Sequence, residues 1–174
     1  ITFNLWASPP PGIAVTPGSF PAYKGIERAR RIADTLAIPH RVADLQEQFE
    51  ASVVSYFTTE YSCGRTPNPC IVCNRTIKFA ALLQKAEQWS IPFIATGHYA
   101  RVEYCAAKDR YLLKKGVDRA KDQSYMLYQL TQEQLARSLF PLGGLTKQTV
   151  RVRAEKLGLV AAAPKESPEL WFIP

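Results

Sequence analysis

Gly64-Arg65-Thr66-Pro67-Asn68-Pro69-Cys70-Ile71-Val72-Cys73-Asn74-Arg75, running on through Thr76-Ile77-Lys78-Phe79, is the stretch around which the fold is read. Pro67 and Pro69 fix their own φ and push the residue before each of them out of the α region, which makes the loop stiff. Asn74 directly follows as an N-cap candidate, and Ile77, Ala81, Leu82 and Ala86 recur at helical spacing to about Trp89. The spacing therefore predicts a helix whose N-terminus lies beside Cys73. Unsatisfied N–H groups and the positive end of the dipole favour thiolate there, and Arg65, Arg75 and Lys78 act in the same direction. Such surroundings lower a cysteine pKa from ~8.5 to between ~3.5 and ~7.5, so Cys73 reads as a poised nucleophile.

Cys-x-x-Cys also describes half a zinc site or a pair of inert buried thiols. Completing a four-thiolate site would take Cys63 and Cys105, which are not spaced as a second Cys-x-x-Cys.

Upstream of the motif, Ile1 to Trp6 reads as a short strand that opens without Met and without a preceding turn, as if in mid-fold. Residues 8–21 hold five of the 13 prolines and two glycines and read as an irregular surface loop. Ile26, Ala29, Ala33 and Leu36 make the apolar stripe of a helix over Lys24 to Ala37, and His40 to Asp44 follows as a strand. A second helix over Gln46 to Thr59 turns Phe49, Val53 and Phe57 inward.

Downstream, Ile91 to Ala95 reads as a strand that ends at Thr96-Gly97-His98. Glu103-Tyr104-Cys105 and Tyr111-Leu112-Leu113 pair as a hairpin across Lys108-Asp109. Helices are expected at about Gln123 to Gln129, Gln132 to Ser138 and Lys147 to Leu157, with Thr131 and Thr146 as caps and Gly158 closing the last. Strand, helix, strand, helix, helix, strand is the order of an α/β fold, a parallel sheet with helices on both faces. Ligands bind such sheets beyond the carboxyl ends of the strands, where both Phe3 to Trp6 and Gly97-His98 fall.

The chain has 174 residues, enough for one domain, and 47% of them are hydrophobic, as in globular proteins. Its net charge is +7. Seven basic residues (Arg101, Lys108, Arg110, Lys114, Lys115, Arg119, Lys121) face three acidic ones (Glu103, Asp109, Asp118) within positions 101–121. A polyanion partner follows, and nucleic acid rather than membrane, because the chain carries no basic amphipathic helix and no apolar span of ~18 residues. Four unevenly spaced cysteines and no signal peptide place the chain in a reducing, cytoplasmic compartment.

The long motif, then Ala95-Thr96-Gly97-His98-Tyr99-Ala100-Arg101, then Lys121-Asp122-Gln123-Ser124-Tyr125, closely resembles the tRNA-specific 2-thiouridylases of the PP-loop ATP pyrophosphatase superfamily. The resemblance runs from about Ile1 to Pro174. It implies a sulfurtransferase that uses ATP and Mg to activate the wobble uridine of certain tRNAs and replaces the 2-oxygen by sulfur. It also implies a sulfur-donor relay protein as partner and an adenine nucleotide alpha hydrolase-like, Rossmann-like fold, here incomplete at the N-terminus.

Residue by residue, Cys73 matches the family's catalytic cysteine, which attacks or relays sulfur at the uridine C2 and can pair as a disulfide with a second cysteine. Asn68, Pro69 and Cys70 match the loop that meets the target base, His98 a tRNA-contacting position, and Lys121, Asp122 and Gln123 a tRNA-binding segment. Gly97 matches a nucleotide-contacting glycine and Phe3 a residue beside the adenine. The resemblance implies no metal ligand.

Two departures stand out. The Ser-Gly-Gly-x-Asp-Ser loop that cradles ATP phosphates in the family is absent, and Trp171 stands where the persulfide-carrying cysteine belongs. The expectation is a partial catalytic domain over residues 1–174, without the first strand, the phosphate loop or the family's central and C-terminal β domains, and inactive alone. Two other readings are a degenerate homologue that binds tRNA without thiolating it, and an iron–sulfur or zinc protein built on Cys63, Cys70, Cys73 and Cys105.

Overall fold

The computed structural model describes residues 1–5 and 21–159. Trp6, the proline-rich stretch through residue 20, and the Glu166–Pro174 segment with Trp171 lie outside the described residues. The chain divides into two compact units, residues 1–49 with 155–174, and residues 50–154.

In the first unit, strand β1 (Thr2–Asn4) pairs in parallel with β2 (Val42–Asp44), Phe3 opposite Ala43. Parallel neighbours require a crossover, and helix α1 (Pro21–Thr35) supplies it and packs on β1. Ala33 is buried and Ile26 and Ala29 are half-buried, as the stripe predicts. Leu36 is the exception, 42% exposed, because the helix ends at Thr35 before that position completes its turn.

The second predicted helix is longer than expected. It runs as α2 (Gln46–Phe49), a π-helical turn (Glu50–Val54) and α3 (Ser55–Ser62), with Phe49 and Val53 buried. Gly64, at φ 73°, ends it, and a bidentate ion pair from Arg65 to Glu60 holds the turn into the motif.

Within the second unit, α4 (Pro69–Cys73) continues through a π-helical segment (Asn74–Ala81) into α5 (Leu82–Gln88). Its inner face carries Ile77, Phe79, Ala81, Leu83 and Ala86, all buried. Strand β3 (Ile94–Ala95) pairs in parallel with β6 (Ser138–Leu139), and β4 (Ala100–Cys105) makes the expected hairpin with β5 (Arg110–Lys115). Asp109 takes the left-handed conformation that this tight turn needs, at φ 46°. Phe79, Leu83, Ala86, Ile94, Ala100, Leu127, Leu130, Leu135 and Phe140 form one core, flanked by Val102, Tyr111 and Leu113 of the hairpin.

The architecture is α/β, and the described residues form two parallel strand pairs, helices and one antiparallel hairpin. Among the described residues the hydrogen bonding makes three two-stranded sheets rather than one continuous parallel sheet. Two sequence expectations fail locally. The helix expected over Gln123 to Gln129 is a single 3-10 turn (Ser124–Met126), because Asp122 takes the Ser124 N–H and hydroxyl and ties the chain into a turn. The helix expected to reach Ser138 stops at Ala136, as α6 (Gln132–Ala136), and Ser138 begins β6. Thr131 caps α6 and Thr146 caps α7 (Lys147–Lys156), as read, and Gln134 turns the first into a reciprocal capping box.

Gly143 shows how closely the hairpin is packed. A Cβ there would sit 1.7 Å from the Ala100 carbonyl oxygen, so only glycine fits.

Candidate functional site

Pro69 occupies the first helical position, where a missing N–H costs nothing, and Asn68 just before it is extended at φ −110°. The Asn68 Oδ1 accepts the Cys70 N–H at 3.1 Å. Asn68, not Asn74, is therefore the N-cap. Pro69, whose fixed φ suits the first helical position, starts the helix there instead. Asn74 lies inside the helix, 1% exposed, and its Nδ2 donates to the Met126 carbonyl at 3.3 Å.

Moving the helix start to Pro69 changes the chemistry of Cys73. The residue sits in the fifth helical position, beyond the first turn in which the dipole acts. It is 8% exposed, and burial pushes its thiol pKa up, with Lys78 pulling it down and the neighbouring Cys70 adding to the rise. The poised thiolate expected from sequence is thus a neutral, sheltered thiol in this conformation. Cys63 is exposed and Cys70 half-buried. Under iodoacetamide at neutral pH we expect the exposed Cys63 to be modified first and the buried Cys73 last. Peptide mapping by mass spectrometry checks the order, and Cys73 reacting first would refute it.

The second motif meets the first through an aromatic cluster. His98 is 8% exposed, its ring 5.7 Å from that of Phe79 and 6.4 Å, edge-on, from that of Phe140. Its Nδ1 lies 2.9 Å from the Thr96 hydroxyl. Burial, reinforced by the positive charge of Lys78, pushes its pKa from 6.5 down to about 4, so the imidazole is neutral at physiological pH. Gly97 follows β3 directly. A Cβ built on it meets only the Leu142 Cδ1, at an ordinary 3.8 Å, so the packing of this chain does not itself demand a glycine there.

The third motif is tied to both. Gln123 clamps the backbone of Tyr99, its Oε1 accepting the Tyr99 N–H at 3.0 Å while its own N–H donates to the Tyr99 carbonyl at 2.9 Å. Asp122 accepts the Gly116 N–H at 2.8 Å, which joins the end of the basic hairpin to the motif. Burial alone would raise the Asp122 pKa, but the hydrogen bonds from Gly116 and Ser124 together hold it below the usual carboxylate value. Lys121 is half-buried. Asn74 to Met126, Tyr99 to Gln123 and Phe79 to His98 thus bring three distant stretches of sequence together in the second unit.

Phe3 belongs to the first unit, half-buried on β1. One residue beyond its partner Ala43, at the carboxyl end of β2, a cavity of about 350 Å³ is lined by Asp44, Leu45, Gln46, Glu47 and Gln48. Among the described residues no three His, Cys, Asp or Glu side chains converge as a metal-ligand set. Phe140 and the Asn74–Met126 bond were not anticipated, since nothing local in the sequence marks a partner more than 40 residues away. No helix among the described residues is long and apolar enough to cross a membrane.

Comparison with known proteins defines the class first. The family model described as tRNA methyl transferase HUP domain matches residues 5–174, and the chain belongs to that family. It is 51% identical over 174 residues to the tRNA-specific 2-thiouridylase MnmA 1 of Caldanaerobacter subterraneus subsp. tengcongensis, covering 100% of this chain and 48% of that protein. It is 47% identical to the tRNA-specific 2-thiouridylase MnmA of Heliobacterium modesticaldum, covering 100% of this chain and 45% of that protein. Against the tRNA-specific 2-thiouridylase MnmA of Carboxydothermus hydrogenoformans the identity is 54% over 149 residues, 86% of this chain and 41% of that protein. The chain spans about half the length of the curated relatives it matches.

Proposed function

We propose that this chain is the catalytic part of an ATP-dependent tRNA 2-thiouridylase, a sulfurtransferase that replaces the 2-oxygen of the wobble uridine by sulfur. The observation that carries the reading is the capped Asn68-Pro69-Cys70 turn in front of Cys73, joined to the Lys121-Asp122-Gln123 segment through Asn74 and Met126. The names of relatives around 50% identical support it.

In this reading the exposed Asn68 and the half-buried Cys70 meet the target base, and Cys73 handles the sulfur. Cys73 must lose a proton to act, and Lys78 is the group whose charge favours that loss. Neutral His98 presents an uncharged imidazole beside the RNA, while Lys121 and the exposed cations of the hairpin hold phosphate. ATP, when bound, makes the uridine oxygen a leaving group. Phe3 would lie against the adenine, near the cavity at the end of β2. A sulfur-donor relay protein supplies the sulfur, and the reaction takes place in the cytoplasm.

Trp171, where the family's persulfide cysteine stands, favours a second reading, a homologue that binds tRNA and no longer thiolates it. Expression of the gene in a bacterium lacking its own thiouridylase separates the two. Under the first reading, mass spectrometry of digested tRNA detects 2-thiouridine with the wild-type gene and none with Cys73→Ser. No 2-thiouridine with either gene would leave only the binding role, and 2-thiouridine surviving Cys73→Ser would remove Cys73 from the chemistry.

A further inference from the structure

Tyr125 is 58% exposed and Tyr128 64% exposed, on a segment that is otherwise firmly anchored. Asp122 accepts from the Ser124 N–H and hydroxyl, the Leu127 N–H donates to the Ser124 carbonyl at 3.0 Å, and Asn74 holds the Met126 carbonyl. Leu127, between the two tyrosines, is 1% exposed and belongs to the core. The frame is fixed and the rings stand in water. Rings in water gain nothing for folding, and a fixed frame spares most of the ordering cost of a ligand that covers them.

The surroundings narrow the choice of ligand. Lys121 lies four residues before Tyr125, at the end of the 101–121 stretch with its seven cations and three anions, so the partner is anionic. Asn74, which grips the turn through Met126, is the residue after Cys73. An anionic ligand that also offers flat apolar faces is a nucleic acid with unpaired bases, and such bases stack on exposed aromatic side chains.

We propose that Tyr125 and Tyr128 form a stacking platform for unpaired nucleobases flanking the one presented to Cys73. The proposal rests on the RNA reading above and adds to it a contact that reads base faces rather than phosphates. Because the platform contributes no charge, its effect is separable from that of the cations.

The test measures affinity of the chain for a stem–loop RNA with an unpaired loop, and for the same stem closed as a blunt duplex, over a salt series. Tyr125→Ala with Tyr128→Ala should weaken stem–loop binding about tenfold or more, equivalent to about 1.4 kcal/mol, with the salt slope and the duplex affinity unchanged. Phenylalanine at both positions should retain the affinity, whereas leucine, apolar but without a π face, should lose it as alanine does. Circular dichroism of each variant verifies the fold, and the phenylalanine and leucine pair decides the matter should the alanine variant unfold. Unchanged stem–loop affinity, or an equal loss on the duplex as on a protein-binding or general surface, overturns the platform. A wild-type chain that binds neither RNA overturns the RNA reading with it.

Discussion

Acidification from pH 6.5 to about 4 is expected to remove about 3 kcal/mol of folding stability through His98 alone. The folded imidazole takes up its proton only near 4, while in the unfolded chain it does so near 6.5. Between those values the unfolded state binds more protons, so stability rises with pH across the window and falls as acid is added. Above 6.5 both states are neutral and the contribution is flat. Urea unfolding of the wild type and of His98→Gln across this range isolates the contribution as the difference between two curves, since the carboxylates are common to both. Curves that stay parallel would show that the Phe79 and Phe140 rings do not shelter the imidazole.

Phe79→Ala is expected to cost about 3–5 kcal/mol, because the ring is 0% exposed and packs on both Phe140 and His98. That is a large share of the ~5–15 kcal/mol that holds an ordinary domain together. The same deletion opens the environment of His98 to water, so its pKa should climb back towards 6.5 and the acid sensitivity should shrink. The two effects are coupled. A double-mutant cycle with His98→Gln should therefore be non-additive below pH 6.5, whereas strict additivity, or a loss under about 1 kcal/mol, would contradict the described core.

Helical stripes, caps and turn chemistry were legible because each is a local property. The apolar positions of Ile77, Ala81 and Ala86, the cap at Thr131 and the turn at Lys108-Asp109 all follow from residues a few places apart. The start of the motif helix was harder. The sequence reading put the N-cap at Asn74, whereas Asn68 caps the helix one turn and a half earlier, with Pro69 at the first helical position. The two-residue strand β6 has no periodicity of its own and exists through its pairing with Ile94 and Ala95. Likewise, the neutral state of His98 depends on Phe140, 42 places further along the chain, and the burial of Cys73 on how the whole helix seats. Motif identity could be read from the residues, but protonation states had to wait for tertiary packing.

Charge offers the most direct trial of RNA as the partner. Lys115, Arg119 and Lys121, all within the basic 101–121 stretch, are the set to neutralise. If they bind phosphate, changing all three to glutamine should lower the slope of log affinity for tRNA against log salt by about 2–3, at ~0.9 per lost contact on duplex and ~0.7 on single strands. An unchanged slope would contradict the account, since cations that merely sit in solvent release no counterions when tRNA binds.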